Sequence, residues 1–268
     1  MLMVSEIEKL KSTNRILVAV LIISAFFLGA LTNKVASLEK GSTVATTQKA
    51  QNPTGAPEQP SQPLVTINQI RALFNSKNLV IGDKNSKNLI VEISDPSCPY
   101  CQAASGMNPE LNKQIGIQFT LPSDGGSYIA PVPEIKKLVD SGKAAFVYIY
   151  ALGHGAGEMG AKAFYCANDQ GKFWEVHDLL MSNAGYNLMN NDIKNDKTKS
   201  QQLADFLSSA ANNNQMKQCL DSGKYDKKLT EDMATAQTLG FRGTPDFFIN
   251  TTNFPGAVDW KNMQSAVK

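Results

Sequence analysis

Two cysteines in the stretch Ser94-Asp95-Pro96-Ser97-Cys98-Pro99-Tyr100-Cys101 carry the chemistry most legible in this chain. A Cys-x-x-Cys pair can close and open a small disulfide ring, and so exchange disulfides with other thiols. The competing accounts are a structural disulfide and half of a zinc site. Zinc ribbons need two such pairs, and the chain has one.

The flanking residues say how the pair is held. Leu89-Ile90-Val91-Glu92-Ile93 is a β-branched run that reads as a strand, and Gln102-Ala103-Ala104 has helix-forming composition. The cysteines therefore stand where a strand hands over to the first turn of a helix. A sulfur there faces backbone N–H groups with no intrahelical partner and the positive end of the helix dipole, both of which favour the thiolate. Cys98 is expected to have a lowered pKa. Cys101 follows on the same side of the first turn, and Pro99 suits an early helical position because the N–H it lacks has no partner to lose. In the expected cycle Cys98 forms a mixed disulfide with a substrate sulfur and Cys101 resolves it.

The chain has 268 residues and nearly balanced charge, 26 basic against 24 acidic, which gives no footprint for nucleic acid. Its apolar content supports a sizeable core. Residues 1–15 are mixed in charge and precede an apolar run without charge until Lys34. At ~1.5 Å per residue that run is close to the minimum that crosses a bilayer core and is slightly long for a cleaved signal. The expectation is a cytoplasmic 1–15, an uncleaved single-pass anchor at 16–33 and a body outside the cytoplasm, with Lys9, Lys11 and Arg15 against Lys34 and Lys40 as a weak positive-inside bias. Residues 34–63, rich in Thr, Gln, Ser, Ala, Gly and Pro, read as a disordered linker. The folded domain is expected over 64–268.

Within it, Thr66 can cap a helix with Ile67, Ile70, Leu73 and Phe74 on its apolar face. Leu79-Val80-Ile81 and Lys143 to Tyr150 read as strands, and 157–239 as mostly helical, with Leu203, Phe206 and Leu207, then Met216 to Leu220, then Lys224 to Leu239 as successive helices. Pro245 opens the apolar run Asp246-Phe247-Phe248-Ile249, as a proline at a strand start can. A short strand at Phe254 to Val258 and a helix from Asp259 end the chain.

Ile81-Gly82-Asp83, Val91-Glu92-Ile93-Ser94-Asp95 and Cys98-Pro99-Tyr100-Cys101 together resemble the opening of the DsbA-like branch of the thioredoxin superfamily. The resemblance implies an α/β thioredoxin fold with an inserted helical domain at about 157–239, whose second helix opens at Gln170-Gly171-Lys172-Phe173-Trp174-Glu175. It implies a thiol–disulfide oxidoreductase outside the cytoplasm, which the anchor read from 16–33 would hold at the cell membrane, with no cofactor or metal beyond the Cys98–Cys101 pair. Its substrates are exported proteins with cysteines. As an oxidase it needs a quinone-linked membrane partner of the DsbB or vitamin K epoxide reductase type. The alternatives are a reductase or isomerase, or a binding, chaperone or copper-handling module that does not turn over.

By the same resemblance Thr244-Pro245 is a cis bond lying against the active-site pair, leaving the Thr244 backbone free for a bound substrate strand. Glu92 corresponds to a buried acid that accepts a proton from Cys101. Cys166 and Cys219 either staple two helices of the insertion, as some relatives do, or stay as buried free thiols. Tyr100 stands where the most oxidising members carry histidine, which implies a milder oxidant. The segment 106–133 is longer than in relatives and reads as a surface loop or hairpin beside the site. His154 is expected as a cap or core contact and His177 on a helix surface.

Overall fold

The computed structural model describes residues 65–268. The expected cytoplasmic segment 1–15, anchor 16–33 and linker 34–63 lie outside the described residues. Among the described residues no helix is long and apolar enough to cross a membrane.

The domain opens with α1 (Ile67–Ala72), started by a capping box in which Thr66 and Gln69 each satisfy the other's backbone N–H. β1 (Leu79–Ile81) leads to β2 (Asn88–Ser94), and β2 runs into α2 (Pro99–Ser105). After α3 (Pro109–Ile115) and α4 (Pro131–Asp140) comes β3 (Ala144–Tyr150). The insertion supplies α5 (Glu158–Asn168), α6 (Phe173–Leu180), α7 (Asn183–Asn187), α8 (Ser200–Phe206), α9 (Asn213–Asp221) and the long α10 (Asp226–Thr238). β4 (Asp246–Ile249), β5 (Thr252–Pro255) and α11 (Trp260–Met263) complete the chain.

The sheet order is β1-β3-β2-β4-β5. β2 is parallel to β3 and antiparallel to β4, so the strand that delivers Cys98 is hydrogen-bonded on both edges. Every residue of β2 and β3 is buried, as expected for a sheet covered on both faces. Alternation along the strands sorts the side chains. Leu89, Val91, Ile93, Val147 and Phe248 pack with Ile70 of α1, with Phe74 just after it and with Ala236 of α10. Ile90, Phe146, Tyr148 and Phe247 pack on the opposite face, with α2, α4 and the inserted helices. Glu92 and Ser94 keep the phase of Ile90 and so share the face of the two cysteines. Asp232 of α10 ties the layers at the end of β3: its Oδ2 accepts from Tyr150 N–H at 3.2 Å and from the Tyr165 hydroxyl.

Two segments differ from expectation. Residues 106–133 hold no hairpin. They form α3, single 3₁₀ turns at Ile117–Phe119 and Pro122–Asp124, and the start of α4. Pro109, Pro122 and Pro131 each sit in the first turn of a helix, where proline is pre-shaped for it. Val132, Ile135 and Val139 then bury one helical stripe. The alternating residues around Ile117 find no strand partner, because Asn112 Nδ2 donates to Phe119 O at 3.0 Å and folds the chain back onto α3. The last strand also starts earlier than expected. Ile249 pairs with Thr252 across a two-residue turn, and Asn250, at φ 57°, supplies the left-handed step.

Both histidines depart from expectation. The His154 side chain is exposed, and only its backbone N–H makes a bond. His177 lies inward, at 2% exposure, because α6 turns that face toward Phe164, Phe173 and Trp174.

Cys166 of α5 and Cys219 of α9 form a disulfide across a separation of 53 residues. Closing a loop of that length restricts the unfolded chain and adds ~3–4 kcal/mol to stability. Replacing both by alanine is expected to lower the unfolding free energy by that amount, read as a lower urea midpoint, without loss of the Cys98–Cys101 chemistry. An unchanged midpoint contradicts a stapling role.

Candidate active site

Cys98 is the N-cap of α2 with Pro99 at its first turn, as the strand-to-helix reading requires. Both sulfurs are thiols here, Cys98 at 5% exposure and Cys101 fully buried. The Thr244-Pro245 bond is cis, and Thr244 O accepts from Cys98 Sγ at 3.4 Å. The structure thus brings Cys98, Cys101, Thr244 and Pro245 into one place, with Tyr100 at the rim, 45% exposed.

The two sulfurs titrate in opposite directions. Cys98 is pulled down to about 6, first by the hydrogen bond from the Cys101 thiol, then, against the cost of burial, by the Thr244 side chain and the backbone N–H groups of Cys101 and Tyr100. The helix start contributes, but the neighbouring thiol contributes more. Cys101 is pushed well up by burial, then by the hydrogen bond it gives to Cys98 and by the charge there. The Asp95 N–H, 3.4 Å from Cys101 Sγ, offsets this only in part. At neutral pH the outer sulfur is the thiolate and the inner one holds the proton. That order suits an outer nucleophile and an inner leaving or resolving group.

The loops around the sulfurs hang on Asp95, which sequence reading quoted but gave no role. Its Oδ1 accepts from Ser97 N–H at 2.8 Å and Ser97 Oγ at 2.7 Å, and its Oδ2 accepts from Gly153 N–H at 2.8 Å and His154 N–H at 2.9 Å. Ser97 Oγ in turn accepts from Ala156 N–H at 3.2 Å. One carboxylate so ties the active-site turn to the glycine-rich turn after β3. The glycines let the backbones approach: a Cβ on Gly153 would lie 1.8 Å from Thr244 Oγ1, and one on Gly157 1.7 Å from Asp95 Oδ1. The insertion adds Asn190 Nδ2 on Ser97 O at 3.2 Å. Gln102 Nε2, buried on α2, reaches Pro96 O at 3.0 Å and Leu180 O at 3.1 Å. The signal that marked Asp95 is an Asp-Pro step with Ser two residues on, the pattern of an Asx turn.

Glu92 is buried on β2, and burial raises its pKa, with His177 and then Ser94 pulling the other way. It makes no direct bond to Cys101. The Ser94 side chain lowers the pKa of both Glu92 and Cys101. Cys166 and Cys219, on the helices of the insertion, take no part in the site.

A thioredoxin fold with an intact Cys-Pro-Tyr-Cys, a cis-proline opposite it and a helical insertion defines the class. The thioredoxin family model matches residues 132–268, and the chain belongs to that family. A putative protein-disulfide oxidoreductase of Rickettsia conorii is 23% identical over 199 residues, 74% of this chain and 62% of that protein. A sodium/proton antiporter of Salinispora arenicola is 24% identical over 193 residues, 70% of this chain but 24% of the antiporter. The chain therefore spans less than two thirds of either relative. Among solved structures, alpha-DsbA1 of Wolbachia pipientis shares the fold with a TM-score of 0.53 at 19% identity, covering 74% of this chain and 93% of that one.

Alkylation of Cys98 in the reduced protein is expected to follow a titration centred near 6, falling away below it as the thiolate takes up a proton. Cys101→Ala should move the midpoint up, and Thr244→Val should move it up by less. A wild-type midpoint at the ordinary thiol value of about 8.5 contradicts the description of the site.

Proposed function

We propose that the protein is a thiol–disulfide oxidoreductase that acts on the cysteines of exported proteins, working as a disulfide-forming oxidase. The observation that carries this reading is the opposed titration of Cys98 and Cys101 beside the cis Thr244-Pro245 bond. In the oxidising direction a substrate thiolate attacks Cys98 Sγ of the enzyme disulfide, the Cys98–Cys101 bond breaks, and Cys101 leaves as a thiolate that must be protonated in a buried site. A second substrate thiolate then attacks the substrate sulfur of the mixed disulfide. The substrate leaves with a disulfide, and Cys98 leaves as the thiolate its surroundings stabilise. Two electrons pass to the protein.

Several residues fit that cycle. The Thr244 backbone lies beside Cys98 and offers an extended segment its hydrogen-bonding groups. Glu92, held toward its protonated form by burial, is the proton donor to Cys101 in this direction and the acceptor in the reverse one. Tyr100, between the two cysteines, and Leu152, beside the glycine-rich turn that Asp95 holds, are exposed large apolar side chains, which suits unfolded chains as substrates. Phe119 braces Tyr100 edge-on at 5.7 Å, so the helical 106–133 segment shapes the rim.

The apolar run at 16–33 supports a single-pass anchor in the cell membrane with the catalytic domain outside the cytoplasm. Recharging the pair then requires a membrane oxidant, for which a quinone-linked protein of the DsbB or vitamin K epoxide reductase type has the right chemistry.

Oxidised protein mixed with a reduced, unfolded model protein is expected to form disulfides in it, measured by loss of free thiols. Cys98→Ala should return the rate to the uncatalysed one, and Cys101→Ala, once charged as a mixed disulfide at Cys98, should show that adduct on a non-reducing gel. Equal thiol loss with and without Cys98 would contradict the reading.

A further inference from the structure

The inserted domain carries the one π turn among the described residues, Leu188–Ile193, which continues directly from α7. Lys194 N–H reaches back to Met189 O at 3.0 Å, and the chain leaves through two successive left-handed residues, Lys194 at φ 46° and Asn195 at φ 62°. Neither is glycine. Wide turns and left-handed side chains are unfavourable backbone, and such backbone persists where its surroundings make use of it.

The use is visible in where two asparagine side chains end. Asn190, inside the π turn, donates through Nδ2 to Ser97 O at 3.2 Å and to Tyr186 O of its own segment at 3.0 Å. Asn195, just beyond the turn, donates through Nδ2 to Gly155 O at 2.9 Å, and its Oδ1 accepts from Met159 N–H of α5 at 3.2 Å. The first side chain grips the turn that carries Cys98, and the second grips the glycine-rich turn after β3. Asp95 joins the same two turns from inside the site. In a regular α-helix residues five apart stand roughly 140° apart round the axis, so these two side chains would diverge. The wide turn and its left-handed exit bring both amides onto the site.

Ser97 O belongs to the peptide unit that enters Cys98, and the N–H of that planar unit donates to Asp95 O at 2.9 Å. The unit is therefore held on both sides, by the end of β2 and by the insertion. Holding it fixes the Cα of Cys98, and with it the direction in which Sγ points toward Thr244 O at 3.4 Å.

We propose that Asn190 and Asn195 are positioning residues for thiol–disulfide exchange: from one π turn the inserted domain clamps the turn before α2 to the turn after β3, and so fixes the aim of Cys98. The proposal deepens the exchange reading and rests on it. Neither asparagine carries a proton or an electron in the cycle. Exchange needs the attacking sulfur aligned with the bond it meets, so a Cys98 free to swing reacts more slowly in both directions.

The test uses the full-length protein and two readouts: the pH titration of Cys98 alkylation in the reduced form, and the rate at which a small dithiol reduces the oxidised form. Asn190→Ala and the isosteric Asn190→Asp both remove the donor to Ser97 O. Each is expected to slow reduction about fivefold and to raise the alkylation midpoint by about half a pH unit, effects of the size of one lost hydrogen bond. Asn190→Gln, which keeps the amide, should restore part of both. Asn195→Gly should move both readouts the same way by less, since Asp95 still holds the glycine-rich turn. Lys194→Gly suits the left-handed backbone and keeps both asparagines, so it should give wild-type values. Wild-type values in both Asn190→Ala and Asn190→Asp overturn the clamp, and so does an equal change in Lys194→Gly, which would mark a general loosening of the insertion. A wild-type protein that exchanges no thiol overturns the function itself, whereas the alkylation midpoint needs no turnover and reads the clamp separately.

Discussion

Everything in this molecule turns on keeping two sulfurs a helical turn apart in unlike surroundings. Cys98 is held toward the thiolate first by the Cys101 thiol, and the backbone N–H groups of Cys101 and Tyr100 add to it. Cys101, one turn inward, has an apolar layer and a charged neighbour, and burial alone raises its pKa more than any other influence. The hydrogen bond between them works on both at once, lowering the outer acid and raising the inner one. A pair so arranged gives up its disulfide readily, because the reduced state holds a stabilised anion that the oxidised state lacks.

Such an arrangement needs a rigid base. β2 supplies it by pairing on both edges, parallel to β3 and antiparallel to β4, so that the end of one strand carries Cys98 while its neighbour begins at the cis-proline. Asp95 then locks the turn after β2 to the turn after β3, and Gly153 and Gly157 allow contacts that any side chain would block. The insertion is more than a lid. It reaches the site through Asn190 and Leu180 O.

Much of this was legible in the sequence, for identifiable reasons. The strand before Cys98 and the helix after it follow from β-branched and helix-forming runs, and Pro99 marks the junction. The cis bond and the Cys166–Cys219 pairing came from family resemblance, since neither a bond isomer nor a pairing can be read from composition. Asp95 was in plain view but ordinary, because its role depends on a turn nearly sixty residues away. The 106–133 segment misled because its alternation around Ile117 imitates a strand, while the prolines that start its helices were the stronger signal. His177 was misjudged because a polar residue on a short helix reads as solvent-facing until the aromatic cluster around it is known.

The central claim, that the protein stabilises the reduced pair through Cys98, is tested most directly by the reduction potential of the Cys98–Cys101 couple, read by equilibrating the protein with glutathione buffers of graded ratio. With Tyr100 in place of a histidine, the account predicts a value between those of the strongest disulfide donors and of reducing thioredoxins, about −120 and about −270 mV respectively. A value at or below the thioredoxin figure would mean that the disulfide, not the dithiol, is the favoured state, and would contradict it.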